Sequence, residues 1–192
     1  MSALRPLVDL LGGRASLYGS SSGGMIALAA AAAIPGVERL VLWEVPSDDE
    51  NGTEAAELVA ELDALLEAGD REGTLRRFMA GMPPEWFEAM RSGPQWPLFE
   101  QMAPSVRADA DALAWSQSGP RAQLWGQIST PTVVLVGTDA FPFFSDAADA
   151  IVSTLPNGRR AEVTGAGHGW RPEDLADALV DQLRGLGTHP SG

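Results

Sequence analysis

The chain has 192 residues, and 26 acidic residues against 13 basic ones give it a formal net charge of −13 at pH 7. This length predicts a single domain with its own hydrophobic core. The acidic balance argues against nucleic acid or an anionic membrane as a partner, because both are bound mainly through clustered positive charge.

Two residue types are absent from the composition, and each absence narrows the possible chemistry. All 13 basic residues are arginine, so the sequence excludes Schiff-base enzymes, P-loop nucleotide binders and Ser-Lys hydrolases. It contains no cysteine, which excludes disulfides, thiolate nucleophiles and cysteine-based metal sites. No apolar run approaches the roughly 18–20 residues of a membrane-spanning helix, and the start lacks the pattern of a signal peptide. We therefore expect a cytoplasmic protein.

Residues 1–45 predict the first part of an α/β core. The expected elements are a helix over 3–11, a strand over 15–18, a helix over 25–33 and a strand over 37–43. The second helix is rich in alanine, and the run RLVLWE is nearly all apolar, which is typical of a buried parallel strand. The strand–helix–strand unit implies a right-handed crossover between two parallel strands.

Residues 46–129 consist of helix-forming segments interrupted by glycine and proline, and they predict a helical insertion without a convincing strand. The expected helices cover residues 53–68, 72–80, 84–91, 96–102 and 105–117. This segment holds most of the aromatic residues of the chain. We predict that some of them bind substrate in an apolar cavity: Trp86, Trp96, Phe99 and Trp115, together with Phe141 beyond the segment. The alternative is that these side chains only pack the helices onto the sheet.

Residues 130–187 predict the second part of the core. The expected elements are a β-branched strand over 130–137, a helix over 145–155, a strand over 159–163, a loop over 165–170 and an amphipathic helix over 172–186. Residues 188–192 are expected to form a flexible tail. The whole chain therefore predicts an α/β fold with a short parallel sheet of about four strands and a helical insertion.

The stretch between the first strand and the alanine-rich helix carries the strongest chemical signal. Gly19, Ser21 and Gly23 form the pattern G-x-S-x-G, the spacing of a nucleophile elbow. A serine on a sharp strand-to-helix turn requires residues with little or no side chain two positions away on either side, and glycine meets this requirement at both positions. The turn would place Ser21 at a helix N-terminus, with the Ser22 N–H as the expected oxyanion donor. The alternative is a small-residue loop that only caps the helix.

A serine nucleophile needs a base and an acid that orients the base, and both candidates follow predicted strands. His168 follows the last strand, and Asp139 follows the strand before it. Parallel strands bring their C-terminal ends to one edge of a sheet, and the order Ser21, Asp139, His168 is the order associated with this elbow. Glu44, directly after the second strand, is the alternative acid. We favour Asp139 because of its position about 29 residues before His168, and we assign no role to His189 in the tail.

These segments together resemble the α/β-hydrolase fold family. LYGSSSGG, RLVLWEVP, TPTVVLVGTD and GAGHGW are similar to its nucleophile elbow, the next strand, the strand with the acid loop, and the histidine loop. The resemblance covers essentially the whole chain and implies that residues 46–129 form a helical cap. The family usually has further strands before the elbow and a loop there that donates a second oxyanion N–H, and this chain has only about 15 residues before it.

The resemblance implies a serine hydrolase for an ester, thioester or related acyl bond of a small apolar substrate, without a metal or cofactor. One alternative is an accessory protein that binds an apolar small molecule without catalysis. Another is a cyclase or lyase that uses the same serine and histidine as acid and base. Because the uncharged strand over residues 15–18 would lie at a sheet edge, we also expect a homodimer or a complex with another chain there.

Overall fold

The computed structural model describes residues 4–47 and 50–184. The predicted flexible tail over residues 188–192 lies outside the described part of the chain, as do position 3 of the first predicted helix and positions 185–186 of the last. The described residues form one sheet with helices on both faces and a helical segment between its second and third strands.

The sheet has five strands in the order of the chain. They are β1 (Ala15–Ser20), β2 (Val37–Trp43), β3 (Thr132–Ala140), β4 (Gly158–Gly167) and β5 (Gly169–Trp170). The first four strands run parallel, and the two-residue β5 runs antiparallel to β4. The predicted parallel sheet of about four strands is confirmed, and β5 is an additional strand within the predicted loop over 165–170.

In the described parts of the chain, four helices precede, connect or follow the strands, and six others lie in the segment between β2 and β3. The first group is α1 (Leu4–Leu10), α2 (Ser22–Ala33), α9 (Pro142–Thr154) and α10 (Pro172–Arg184). The second group is α3 (Glu54–Glu67), α4 (Arg71–Phe78), α5 (Pro84–Ser92), α6 (Trp96–Met102), α7 (Val106–Gln117) and α8 (Arg121–Leu124), with a short 3₁₀ turn over Ala103–Ser105. We call residues 50–129 the helical segment.

Both faces of the central strands are buried, which explains why their sequences are continuously apolar. Leu40 and Leu42 of β2 face the core formed with α2 and α9, whereas Val41 and Trp43 face the cluster that includes Leu175 of α10. Successive side chains on a strand point to opposite faces, so a strand covered on both sides needs apolar residues at every position.

The helical segment has a small core of its own and also packs on the sheet domain. Leu75, Phe87 and Ala103 are buried together within it. Helix α7 packs against both α3 and α2. The closeness of α7 to α2 matters for function, because α2 begins directly after Ser21.

The first strand lies at an edge of the sheet, as the sequence predicted. Within the described residues, β1 pairs only with β2. The accessible surface is 41% for Tyr18 on this strand, and 83% for Leu10 and 69% for Leu11, which precede the strand in the sequence. An uncharged strand at the open edge of a sheet is a site where another chain can add.

Candidate active site

Ser21 occupies the sharp turn between β1 and α2, as the G-x-S-x-G pattern predicts. Its backbone has φ +54° and ψ −133°, a combination that side-chain-bearing residues rarely adopt. The Ser21 N–H donates a hydrogen bond of 2.8 Å to the carbonyl oxygen of Trp43, at the end of the neighbouring strand. Strained residues of this kind persist only where the surrounding structure holds them, and they are concentrated at functional sites.

The glycines around Ser21 contribute differently from the expectation. A Cβ on Gly19 would lie 2.5 Å from the carbonyl oxygen of Gly23, so Gly19 is required by close approach. A Cβ on Gly23 would meet no atom within 4 Å, whereas one on Gly24 would lie 2.1 Å from Cγ2 of Val45. The expected steric need for glycine two positions after the serine is therefore wrong: it falls three positions after, where α2 crosses Val45.

This difference predicts opposite effects for two neighbouring substitutions. Gly23→Ala should leave the free energy of unfolding unchanged or raise it by up to about 1 kcal/mol, because alanine favours the helix and finds open space. Gly24→Ala should lower it by about 1–3 kcal/mol, because the added methyl group overpacks against Val45. Urea denaturation of both variants measures the two effects, and equal stabilities would contradict the assignment.

His168 and Glu44 contact each other at the C-terminal edge of the sheet. His168 lies between β4 and β5, and its Nδ1 is 2.6 Å from Oε2 of Glu44. Glu44 follows β2, and 1% of its side chain is exposed. Its other oxygen, Oε1, accepts a hydrogen bond of 3.0 Å from the Gly137 N–H. With Oε2 accepting from Nδ1–H, Nε2 of the imidazole is left as the proton acceptor.

The structure brings Glu44, the alternative acid of the sequence analysis, to the histidine, and not Asp139, the acid that we preferred. Asp139 is exposed, lies inside β3, and is in register with Ala166 of β4. Its carboxylate shares a surface cavity with Trp170 and Arg171. A carboxylate that orients an imidazole must reach Nδ1, and Glu44 already occupies that position.

Ser21 and Glu44 meet at the ends of adjacent strands, since Ser20 pairs with Trp43. Within the described part of the chain, the hydrogen bonds do not include one between Ser21 Oγ and His168. Catalytic hydrogen bonds are often long without substrate and tighten in the complex, so this geometry leaves the pair available as nucleophile and base.

Aromatic side chains surround the imidazole. The Phe144 ring is stacked on His168 at 4.4 Å between centroids, and the Trp86 ring is parallel to it at 6.5 Å. Trp86 also contacts Phe141 at 5.9 Å. A cavity of about 300 Å³ is lined by Gly81, Met82, Pro83, Trp86, Phe141, Phe143 and Phe144. Two of the residues predicted to bind substrate, Trp86 and Phe141, therefore line one cavity beside His168.

The other three residues predicted to bind substrate lie elsewhere. Trp96 and Phe99 pack against the internal core of the helical segment, where Trp96 meets the edge of Phe87 at 5.9 Å. Trp115 packs against the main core and lines a different cavity, beside the C-terminal end of α2. The positions of Trp96, Phe99 and Trp115 fit the alternative stated above, in which these side chains pack the helices and do not line the cavity beside His168.

The structure adds one residue at the elbow that the sequence did not indicate. The Ser22 hydroxyl donates a hydrogen bond of 2.9 Å to Oδ1 of Asp109, which lies on α7. Asp109 is half-buried, and this burial raises the pKa of its carboxyl group, although the hydrogen bond from Ser22 opposes the shift. The sequence around it, VRADADALAW, reads as an ordinary amphipathic helix and carries no signal of a contact 87 positions away.

Across residues 4–47 and 50–184, no group of three or more histidine, aspartate or glutamate side chains is arranged to hold a metal ion. Among the helices that the structure describes, none has both the length and the apolar character needed to cross a membrane.

Comparison with known families agrees with the fold. The model of the alpha/beta hydrolase family matches residues 2–182. The chain therefore belongs to the alpha/beta hydrolase family, which confirms the resemblance inferred from its motifs. None of the functionally curated proteins compared matches the chain significantly.

Solved structures extend this comparison. An alpha/beta hydrolase from Sphaerobacter thermophilus is 29% identical with a TM-score of 0.78, over 94% of this chain and 71% of that protein. A hydrolase from Pseudomonas aeruginosa is 26% identical with a TM-score of 0.63, over 97% of this chain and 70% of that protein. A thermophilic esterase from Thermogutta terrifontis is 25% identical with a TM-score of 0.59, over 96% of this chain and 71% of that protein. The family and these neighbours support a hydrolase.

Proposed function

We propose that the protein is a serine hydrolase that cleaves an ester, thioester or related acyl bond of a small apolar substrate. Ser21 is the nucleophile, His168 the base and Glu44 the acid that orients it. The observation that carries this proposal is the partly buried hydrogen bond between Glu44 and His168, together with the strained backbone of Ser21 at the end of the strand beside β2. Glu44 thus replaces Asp139 in the role that the sequence assigned to the acid.

The reaction follows from the roles of these groups. Nε2 of His168 takes the proton of Ser21 as Oγ bonds to the acyl carbon, and the carbonyl oxygen becomes an oxyanion. The bond from the carbon to the leaving group then breaks, and Nε2 returns the proton to the leaving atom. Water, deprotonated by the same nitrogen, attacks the acyl-enzyme and releases the acid with Ser21 restored.

Glu44 and Ser22 assist different stages of this sequence. The Glu44 carboxylate keeps the proton on Nδ1 and stabilises the imidazolium that forms when Nε2 is protonated. The Ser22 N–H, in the first turn of α2, donates to the oxyanion, where the helix dipole also favours negative charge. No further donor is assigned.

The apolar character of the substrate follows from the surroundings of His168. Trp86 belongs to the helical segment and Phe141 follows β3, so the cavity lies where that segment meets the sheet. We propose that residues 46–129 act as a cap over residues 1–45 and 130–187. The esterase from Thermogutta terrifontis supports an ester as one possible substrate. A cytoplasmic location remains part of the proposal, in keeping with a chain that lacks cysteine.

Labelling with a fluorophosphonate probe tests this function, since the probe reacts with activated serines. Wild-type protein should be labelled at Ser21, identified by mass spectrometry, and should hydrolyse short-chain 4-nitrophenyl esters. Labelling without turnover of any ester or thioester would favour the alternative of a binding protein or a non-hydrolytic enzyme. Equal labelling of Ser21→Ala would contradict the assignment of the nucleophile.

We further propose that the open edge of β1 pairs with β1 of a second copy of the chain. The strand carries no charge or proline, and identical edges can pair across a two-fold axis. Tyr18 of this strand, and Leu10 and Leu11 shortly before it in the sequence, have exposed side chains. Light scattering at micromolar concentration should give a dimer. Ser16→Pro, which removes a donor from the exposed strand, should give a monomer. A wild-type monomer, or a complex only with a different protein, overturns this proposal.

A further inference from the structure

We propose that the cavity beside His168 binds an uncharged aromatic ring, and that this ring belongs to the leaving group of the substrate. The inference rests on the proposed function and names the substrate class of the same site. It follows from the chemistry of the cavity lining, from its size and from its position relative to the imidazole.

The lining is aromatic and carries no charge. Four of its seven residues are Trp86, Phe141, Phe143 and Phe144, and the other three are Gly81, Met82 and Pro83. Their rings already pair with one another, with Phe141 and Phe143 parallel at 6.0 Å and Phe143 and Phe144 at 4.1 Å. Aromatic rings favour aromatic guests beyond the area buried, and an uncharged lining offers nothing to pair with an ionic group.

The cavity is large enough for an aromatic ring. Its volume is about 300 Å³. An apolar cavity of about 150 Å³ is enough to hold benzene, so this one has room for a ring together with its linking atoms. A benzyl group therefore fits the lining and the volume together.

Position assigns the ring to the leaving group. Nδ1 of His168 is bound to Glu44, so Nε2 must transfer the proton. The leaving atom accepts that proton and must come within hydrogen-bond distance of Nε2, whereas the acyl carbon is bonded to Ser21. Phe144 and Trp86 stack with the imidazole and also line the cavity, so the group attached to the leaving atom can extend from Nε2 along these rings into the cavity.

Two matched ester pairs test this inference. Benzyl acetate and cyclohexylmethyl acetate differ only in the leaving-group ring, and methyl phenylacetate and methyl cyclohexylacetate differ only in the acyl ring. With each kcat/KM divided by the rate constant for alkaline hydrolysis, the first pair should favour the aromatic ester by about two- to tenfold. The second pair should show no such preference, and a preference confined to it would overturn the assignment to the leaving group.

The variant Trp86→Leu should lose the preference for benzyl acetate. Trp96→Leu is the control, because Trp96 lies in the separate core of the helical segment, and this variant should keep the preference. Hydrolysis of both acetates at equal normalised rates would overturn this inference and leave the proposed function standing. If no ester is turned over, binding of benzyl alcohol and cyclohexylmethanol measured by NMR still tests the cavity. Equal affinities for the two alcohols would overturn the inference, as would an unchanged preference for benzyl alcohol in Trp86→Leu.

A second and independent observation concerns Asp109. We infer that Asp109 is a positioning residue that fixes the first turn of α2, and with it the Ser22 N–H. The Ser22 hydroxyl is bound to Oδ1 of Asp109, so the residue that supplies the proposed oxyanion donor is tied to α7. Ala110 and Ala112 of the same helix are buried, which holds α7 in place against its neighbours.

A double-mutant cycle tests this role, because Ser22→Ala keeps the backbone N–H and removes only the hydroxyl. Asp109→Ala and Ser22→Ala should each lower kcat by about 10–100-fold with little change in KM, since a slightly misplaced donor costs a rate of this order. The double variant should be no slower than either single one. Asp109→Asn keeps an oxygen acceptor and should recover most of kcat.

Asp111→Ala is the matched control, because Asp111 lies on the same helix and is ion-paired with Arg107 at the surface. It should leave kcat unchanged. Independent, multiplying losses in the cycle, a rise in KM at constant kcat, or full activity in Asp109→Ala would each overturn the inference. The rate of fluorophosphonate labelling gives the same comparison if no turnover substrate is found.

Discussion

Replacement of Ser21 by alanine is expected to lower kcat by about 10⁴-fold and to abolish labelling by a fluorophosphonate. In a complete serine protease site, loss of the nucleophile costs about 2 × 10⁶ in kcat. We expect a smaller measurable loss here, because the uncatalysed hydrolysis of an activated 4-nitrophenyl ester limits how low a rate can be assigned to the variant. Initial rates with a 4-nitrophenyl ester, corrected for the uncatalysed reaction, measure the change.

Ser20→Ala is the control for this substitution. Ser20 is adjacent in the sequence but is the last residue of β1, before the turn. It should retain labelling and keep kcat within about threefold of wild type. Ser21→Ala should also unfold at nearly the same urea concentration, because alanine occupies the same strained backbone and no hydrogen bond of the core is lost. A large loss in Ser20→Ala with activity kept in Ser21→Ala would reverse the assignment.

The parts of the site that depend on local order were predictable from the sequence. An apolar strand followed by G-x-S-x-G and an alanine-rich run predicts a strand, a turn and a helix, and this is where Ser21 lies. The parallel sheet followed from the strand–helix–strand unit and the continuous apolar strands. Residues close together in the sequence form each of these features, so the sequence pattern alone is enough to predict them.

The carboxylate that contacts His168 was not predictable in this way, because the prediction depended on where β3 ends. The apolar pattern of β3 stops at Gly137, which placed Asp139 in the predicted loop after the strand. In the structure the strand continues through a bulge to Ala140, because β4 supplies pairing partners as far as Gly167. Asp139 is therefore paired with β4 inside the sheet. In contrast, β2 ends at Trp43, so Glu44 lies just beyond the strand.

The aromatic residues illustrate the same limit. Helical spacing identifies the face of a helix that is covered, but it does not say which neighbour covers it. Trp86 and Trp96 both lie on short helices of the helical segment. One faces His168 and the other faces Phe87 of the same segment. The difference arises from the path of the chain between them.

Glu44→Gln is expected to lower kcat by about 10³-fold with little change in KM. The glutamine amide can still accept the Gly137 N–H through its oxygen, but it then presents an NH₂ group to Nδ1 of His168. Nδ1 must become the acceptor, so the ring proton moves to Nε2, which can no longer take the proton of the serine. The analogous change of the orienting aspartate in a serine protease costs about 10⁴, and we expect less here because an ester has a better leaving group than an amide and needs less assistance from the imidazole.

Asp139→Asn is the matched control, because it makes the same chemical change at an exposed carboxylate on the neighbouring strand. It should leave kcat within about twofold of wild type. Both variants replace a carboxylate by an amide of nearly equal size, so packing is preserved and the comparison reports on the hydrogen bond to the imidazole. A large loss in Asp139→Asn with little in Glu44→Gln would mean that His168 changes partner when substrate binds, and would return the role of the acid to Asp139.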